Sequence, residues 1–162
     1  MDYNTEEYLN LGNSFYNLKD YENALKYYSL AQEKDKENTV ISFNLAYVYH
    51  LTGDNLSAIK YAEKVFKKNS GDRENTIILV TSLLNEDRIK EAIQKLSIFL
   101  TKRTDEGLEK LYNKLKAETL NSRTGITKLS PSEKVIPKVE KGESTGKKLN
   151  ILFIQDAPCI RN

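Results

Sequence analysis

Few side chains in this 162-residue sequence could carry out covalent, acid–base or metal chemistry. There is a single histidine, His50, and a single cysteine, Cys159. A structural zinc site takes about four Cys or His ligands, more than this inventory holds. One cysteine also excludes a disulfide within the chain, which fits a reducing compartment. Cys159 lacks the sequence context of a catalytic nucleophile, and no spacing pairs His50 with a nucleophile. Paired acids occur at Glu6-Glu7, Glu86-Asp87 and Asp105-Glu106, where helices start or turn and acids complement the helix dipole. The seven glycines are scattered, so there is no phosphate-cradling loop. Without a clustered acid, base or nucleophile, the expectation for this chain is no enzymatic activity and no cofactor.

What recurs instead is a pattern of small, aromatic and amide residues, and its period defines the elements that hold them. Laying residue 5 over residues 39 and 73 brings three 34-residue units into register. The first, residues 5–38, holds Tyr8-x-x-Leu11-Gly12-x-x-Phe15, then Ala24-x-x-x-Tyr28 and Ala31. The second, 39–72, holds Leu45-Ala46-x-x-Tyr49 and Ala58-x-x-x-Ala62. The third, 73–106, holds Leu79-Val80-x-x-Leu83 and Ala92-x-x-x-Leu96. Each unit contains two amphipathic stretches with helical spacing. Turn signals separate them at Lys19-Asp20, Thr52-Gly53-Asp54 and Glu86-Asp87-Arg88, and the units themselves part at 35–38 and 69–72. These breaks interrupt any heptad run and exclude a coiled coil. A last helix over 106–121 presents Leu108, Leu111, Tyr112 and Leu115 on one side, as a solenoid cap requires.

The register resembles the tetratricopeptide repeat, W-x2-L-G-x2-Y…A-x3-F…P over 34 residues. The usual proline is replaced by Lys36, Ser70 and Thr104. The resemblance implies an all-α helix–turn–helix solenoid over residues 1–121, with three repeats, a capping helix and then a flexible tail. It also implies a concave groove that holds an extended peptide or a partner protein. Carried over by register, the groove positions are Asn10, Asn13 and Tyr16 from the first unit. The second supplies Phe43, Asn44, Tyr47 and His50, and the third Ile77 and Thr81. Asn10 and Asn44 share one repeat position, and an amide can both donate to and accept from a peptide backbone. Some members of the family clamp a chaperone's C-terminal carboxylate with two asparagines and three basic residues. Asn13 and Asn44 match the asparagines, but Leu9, Glu74 and Ile78 stand at the basic positions, so this clamp is not expected here.

The charge is divided along the chain. Residues 1–121 hold 17 Lys+Arg and 19 Asp+Glu, and residues 122–162 hold 8 and 4. Of the 15 tyrosines and phenylalanines, 14 lie in the first part, so the core belongs there. Residues 122–148, with two of the three prolines, read as a linker. The run Leu149-Asn150-Ile151-Leu152-Phe153-Ile154 reads as a buried strand, and 149–162 as the truncated opening of a following α/β domain. It is similar to the first strand of GT-B glycosyltransferases, which implies a binding module at the N-terminal end of a glycosyltransferase-like protein. A stand-alone scaffold or homo-oligomerisation unit is the competing reading. The net charge of +2 gives no basic field for nucleic acid, and no apolar run approaches the ~20 residues of a membrane span. The acidic start, Met1 to Glu7, is unlike a signal peptide. The expected location is therefore cytoplasmic.

Overall fold

The computed structural model describes residues 3–124 together with Ile160 and Arg161. Seven helices run in sequence: α1 Thr5–Asn17, α2 Tyr21–Lys34, α3 Thr39–Thr52, α4 Asn55–Lys68, α5 Arg73–Asn85, α6 Ile89–Lys102 and α7 Glu106–Thr124. Among the described residues there is no strand. Helix α7 runs to Thr124, three residues past the expected end at 121 and into the 122–148 linker reading; the rest of that reading and, apart from Ile160 and Arg161, the 149–162 reading fall outside the described residues.

The 34-residue period reappears in the residues that start the helices. Asn4, Asn38 and Asp72 cap α1, α3 and α5 by accepting from backbone N–H groups of the first turn. At α1 the cap is reciprocal, because Glu7 accepts from the Asn4 amide at 2.7 Å while Asn4 accepts from the Glu7 amide at 2.9 Å. Asp20 and Asp54 cap α2 and α4 in the same way. The matching residue of the third unit is Arg88, which makes no side-chain cap and pairs with Glu91 instead.

The turns inside the units follow the same period. Lys19, Gly53 and Asp87 all take positive φ, at 61°, 84° and 58°. Each reverses the chain in the same way: the left-handed residue donates back to Tyr16, His50 or Leu84, and the next donates to Phe15, Tyr49 or Leu83. This is the Schellman pattern that ends a helix and satisfies its last carbonyls. Only the second unit uses glycine, although the conformation costs other residues about 1–2 kcal/mol.

Every helix packs on the next, and α3 also meets α5 across the intervening α4. Sandwiched in this way, α3 is buried without a break from Ile41 to Val48, and α5 from Asn75 to Leu83. Small residues allow the close approach: Ala24, Ala31, Ala46, Ala58, Ala62 and Ala92 are wholly buried. Gly12 is the tightest case, because a Cβ there would clash with the edge of the Tyr28 ring, itself wholly buried. At the far end, Leu108 and Leu115 of α7 bury themselves in the cluster that α3 to α6 share.

Two stability predictions of opposite sign follow. Gly12→Ala overpacks against Tyr28 and lowers unfolding free energy by about 1–3 kcal/mol in urea titration. Lys19→Gly relieves the left-handed turn and, after the added flexibility of the unfolded chain, raises stability by roughly 0.5–1 kcal/mol.

Candidate functional site

The nine residues that the register selects lie on helices α1, α3 and α5, and the structure separates them into different roles. Asn13, Phe43, Asn44, Tyr16 and Tyr47 come together. Asn13 Oδ1 accepts from Tyr28 Oη at 2.8 Å and from Asn44 Nδ2 at 3.4 Å, which joins α1 to α2 and α3. Burial, with the neighbouring Tyr16 phenol, pushes the Tyr28 hydroxyl well above its usual pKa, so it stays protonated and donates. Tyr16 and Tyr47 meet at 5.9 Å between ring centres, and Tyr47 lies nearly parallel to Phe43 at 6.3 Å. These rings form an aromatic wall beside Asn44.

Ile160 and Arg161 sit against this wall, in neither helix nor strand. Ile160 packs on both hydrophobic clusters of the solenoid. Asn44 holds the main chain of Arg161 at both ends: its Nδ2 donates to the Arg161 carbonyl at 2.8 Å, and its Oδ1 accepts from the Arg161 amide at 2.9 Å. The arginine side chain extends to the start of α5. Its Nη1 and Nη2 donate to the two oxygens of Asp72 at 2.6 and 2.9 Å, and Nη2 donates to Glu74 Oε2 at 2.9 Å. Its Cζ lies 3.7 Å from the centre of the Phe43 ring.

The electrostatics agree with this geometry. Burial raises the Asp72 carboxyl, but hydrogen bonds from Arg161 and the Asn75 amide, together with the guanidinium charge, outweigh it and hold the group below its ordinary value. Burial opposes the charge of Arg161, and Asp72 with Glu74 more than restore it. Asp72, Glu74 and Arg161 are absent from the register-based selection. The available signals were local ones: Asp72 reads as a helix cap, and Glu74 as an acid standing where a carboxylate clamp needs a base.

The other four selected residues make different contacts. Asn10 is exposed. Thr81 uses its hydroxyl on the Ile77 and Ile78 carbonyls of its own helix, at 2.7 and 3.1 Å. Ile77 is a core residue, 5% exposed. His50 Nδ1 lies 2.9 Å from Ser82 Oγ, a buried hydroxyl on α5. This pair joins α3 to α5. Among the described residues no three His, Cys, Asp or Glu side chains converge as a metal site would need. No described helix is long and apolar enough to cross a membrane.

Stacked helix hairpins with a residue docked on the face of α1, α3 and α5 define a helical-repeat solenoid. Models of the tetratricopeptide repeat match residues 5–38 and 41–70, so these two segments, which hold α1–α2 and α3–α4, are tetratricopeptide repeats. Three solved structures share the fold. Yeast Tom70 superposes with a TM-score of 0.65 at 22% identity, over 74% of this chain and 25% of the Tom70 chain. The chain thus spans about a quarter of that relative's length. The Sgt2 TPR domain from Aspergillus fumigatus gives 0.62 at 16% identity, over 83% of this chain and 90% of that one. The first TPR of Spaghetti (RPAP3), bound to the HSP90 peptide SRMEEVD, gives 0.59 at 16% identity, over 73% and 99%.

His50 generates a pH prediction. Burial holds its folded pKa below the ordinary value near 6.5, so the unfolded chain takes up a proton that the folded chain resists. Its contribution to stability is complete above pH ~6.5 and is lost as the pH falls through the folded pKa, with a slope of at most about 1.4 kcal/mol per pH unit. His50→Gln removes this slope. Urea midpoints between pH 7.5 and 5 should therefore converge for the wild type and the variant as the pH drops.

Proposed function

We propose that the face of α1, α3 and α5 binds an extended polypeptide through its main chain, and that Ile160–Arg161 is a segment of the chain itself lying in that place. The observation that carries this reading is the double hydrogen bond of Asn44. One amide side chain accepts from the N–H and donates to the C=O of the same residue, and every residue except proline offers that pair of groups. Such a grip is independent of sequence. Asn13 supports it by accepting from the Asn44 amide, which orients the side chain. The structure of a related repeat with a peptide bound shows that this fold can serve as a peptide receptor. The module's role is then to hold a partner peptide or protein, and no catalytic step is assigned to it.

A polypeptide from outside should compete with the resident segment, so the test begins by removing that segment. Arg161→Pro in the full chain abolishes the N–H that Asn44 accepts. Isothermal titration of this variant with a peptide of residues 154–162, under reducing conditions, should show 1:1 binding. Adding Asn44→Ala should weaken it by about tenfold or more, the loss expected for two hydrogen bonds of ~1 kcal/mol each. Asn10→Ala should change the affinity less than about twofold, since surface positions away from a contact contribute little. An affinity indifferent to Asn44→Ala would remove the main-chain grip from consideration. Light scattering on the wild type separates a segment docked within one chain from one exchanged between two copies.

A further inference from the structure

Asn44 fixes the main chain, but the side chain carried by that residue falls among Phe43, Asp72 and Glu74. Asp72 is 9% exposed and Glu74 33%, and both ion pairs they form among the described residues are with Arg161. Without an occupant, two carboxylates would stand two residues apart at the start of α5, with only the helix's own N–H groups to offset their charge. Like charges so placed favour a cation beside them.

The geometry also specifies which cation. The two oxygens of Asp72 accept from two different nitrogens of one planar group, while Glu74 takes a further N–H from one of them. The central carbon of that group, Cζ, lies over the Phe43 ring, 3.7 Å from its centre. A guanidinium meets all three demands together, with a fork for the carboxylate, a spare donor and a face for the ring. A lysine ammonium is a point charge; it can satisfy one carboxylate and does not stack flat.

From this we infer that the groove contains an arginine-reading subsite, formed by Phe43, Asp72 and Glu74 beside the main-chain grip of Asn44. Its ligand is an extended peptide with arginine at the gripped position, and Ile160–Arg161 is the resident example. This rests on the peptide-groove reading above and adds the chemistry of the ligand. The sign of the pocket matters as much as its shape. Glu74 stands where carboxylate-clamping repeats need a basic residue, so an acidic C-terminal peptide is repelled here. Because the resident segment occupies the subsite, outside peptides reach it only by displacing Ile160–Arg161.

The test uses the full-length Arg161→Pro chain and four peptides of residues 154–162. One carries the native sequence, and the others carry Arg161→Lys, Arg161→Ala or Arg161→Glu. The native peptide should bind at least about tenfold tighter than the lysine peptide, the worth of one charge-assisted hydrogen bond, and tighter still than the alanine peptide. The glutamate peptide should not bind. Asp72→Asn with Glu74→Gln should erase the preference while leaving the fold intact, since asparagine caps a helix as well as aspartate does. Urea titration of that variant checks the fold directly. If the arginine, lysine and alanine peptides bind alike while Asn44→Ala weakens all of them, the arginine subsite is wrong and the peptide groove stands. If no peptide binds, both readings fall together.

Discussion

The repeated left-handed turn at residues 19, 53 and 87 is the constraint on which the rest of the solenoid depends. It closes each helix hairpin at the same repeat position and with the same pair of backbone hydrogen bonds, so the second helix of every unit starts back from an equivalent residue. Stacking of these hairpins buries α3 and α5 on nearly all sides and brings α1, α3 and α5 onto one face. A change in one turn would reorient not just one hairpin but the face on which Arg161 docks.

Burial on all sides imposes a second requirement, because α3 and α5 carry polar residues into the interior. Ser42 donates to Gln32 and to the Asn38 carbonyl, Thr76 to the Asp72 carbonyl, and Asn75 to the Ala62 carbonyl. Each of these donors finds an acceptor a turn away or on the adjoining helix, which removes most of the cost of desolvation, and Asn75 Oδ1 alone among the described buried side-chain atoms is left without a partner. Asn44 is wholly buried like these residues, yet its partners include the docked segment. It is a core polar residue whose hydrogen bonding is completed by something that arrives at the surface.

The number of helices, their turns and the small residues between them were legible in the sequence because they recur at a fixed spacing, and each copy corroborates the others. Half of the docking site was legible for the same reason: Asn13, Asn44, Phe43 and Tyr47 lie in register positions. The other half was not. Asp72 and Glu74 meet Arg161 across 89 and 87 residues of chain, and no local period encodes a contact at that range. Within α5, buried from Asn75 to Leu83, no polar face distinguishes groove from core in the sequence, and Ile77 and Thr81 were carried over by repeat register rather than read from such a face. The division of charge between a net acidic solenoid and a net basic remainder was the clue with the longest range, and Arg161 docked on Asp72 and Glu74 is one local instance of it.

Residue 72 carries two obligations, and Asp72 Oδ1 takes part in both by accepting from the Asn75 amide and from Arg161 Nη2. Its side chain starts α5, as Asn4 and Asn38 start α1 and α3 at the equivalent positions, and it also receives the guanidinium. Capping is nearly degenerate between asparagine and aspartate, which have the same shape and offer the same acceptor oxygen. The fold therefore leaves one binary choice open at this position, neutral or negative, at little cost to stability. A repeat array built this way can write information about its ligand into residues that its architecture already requires.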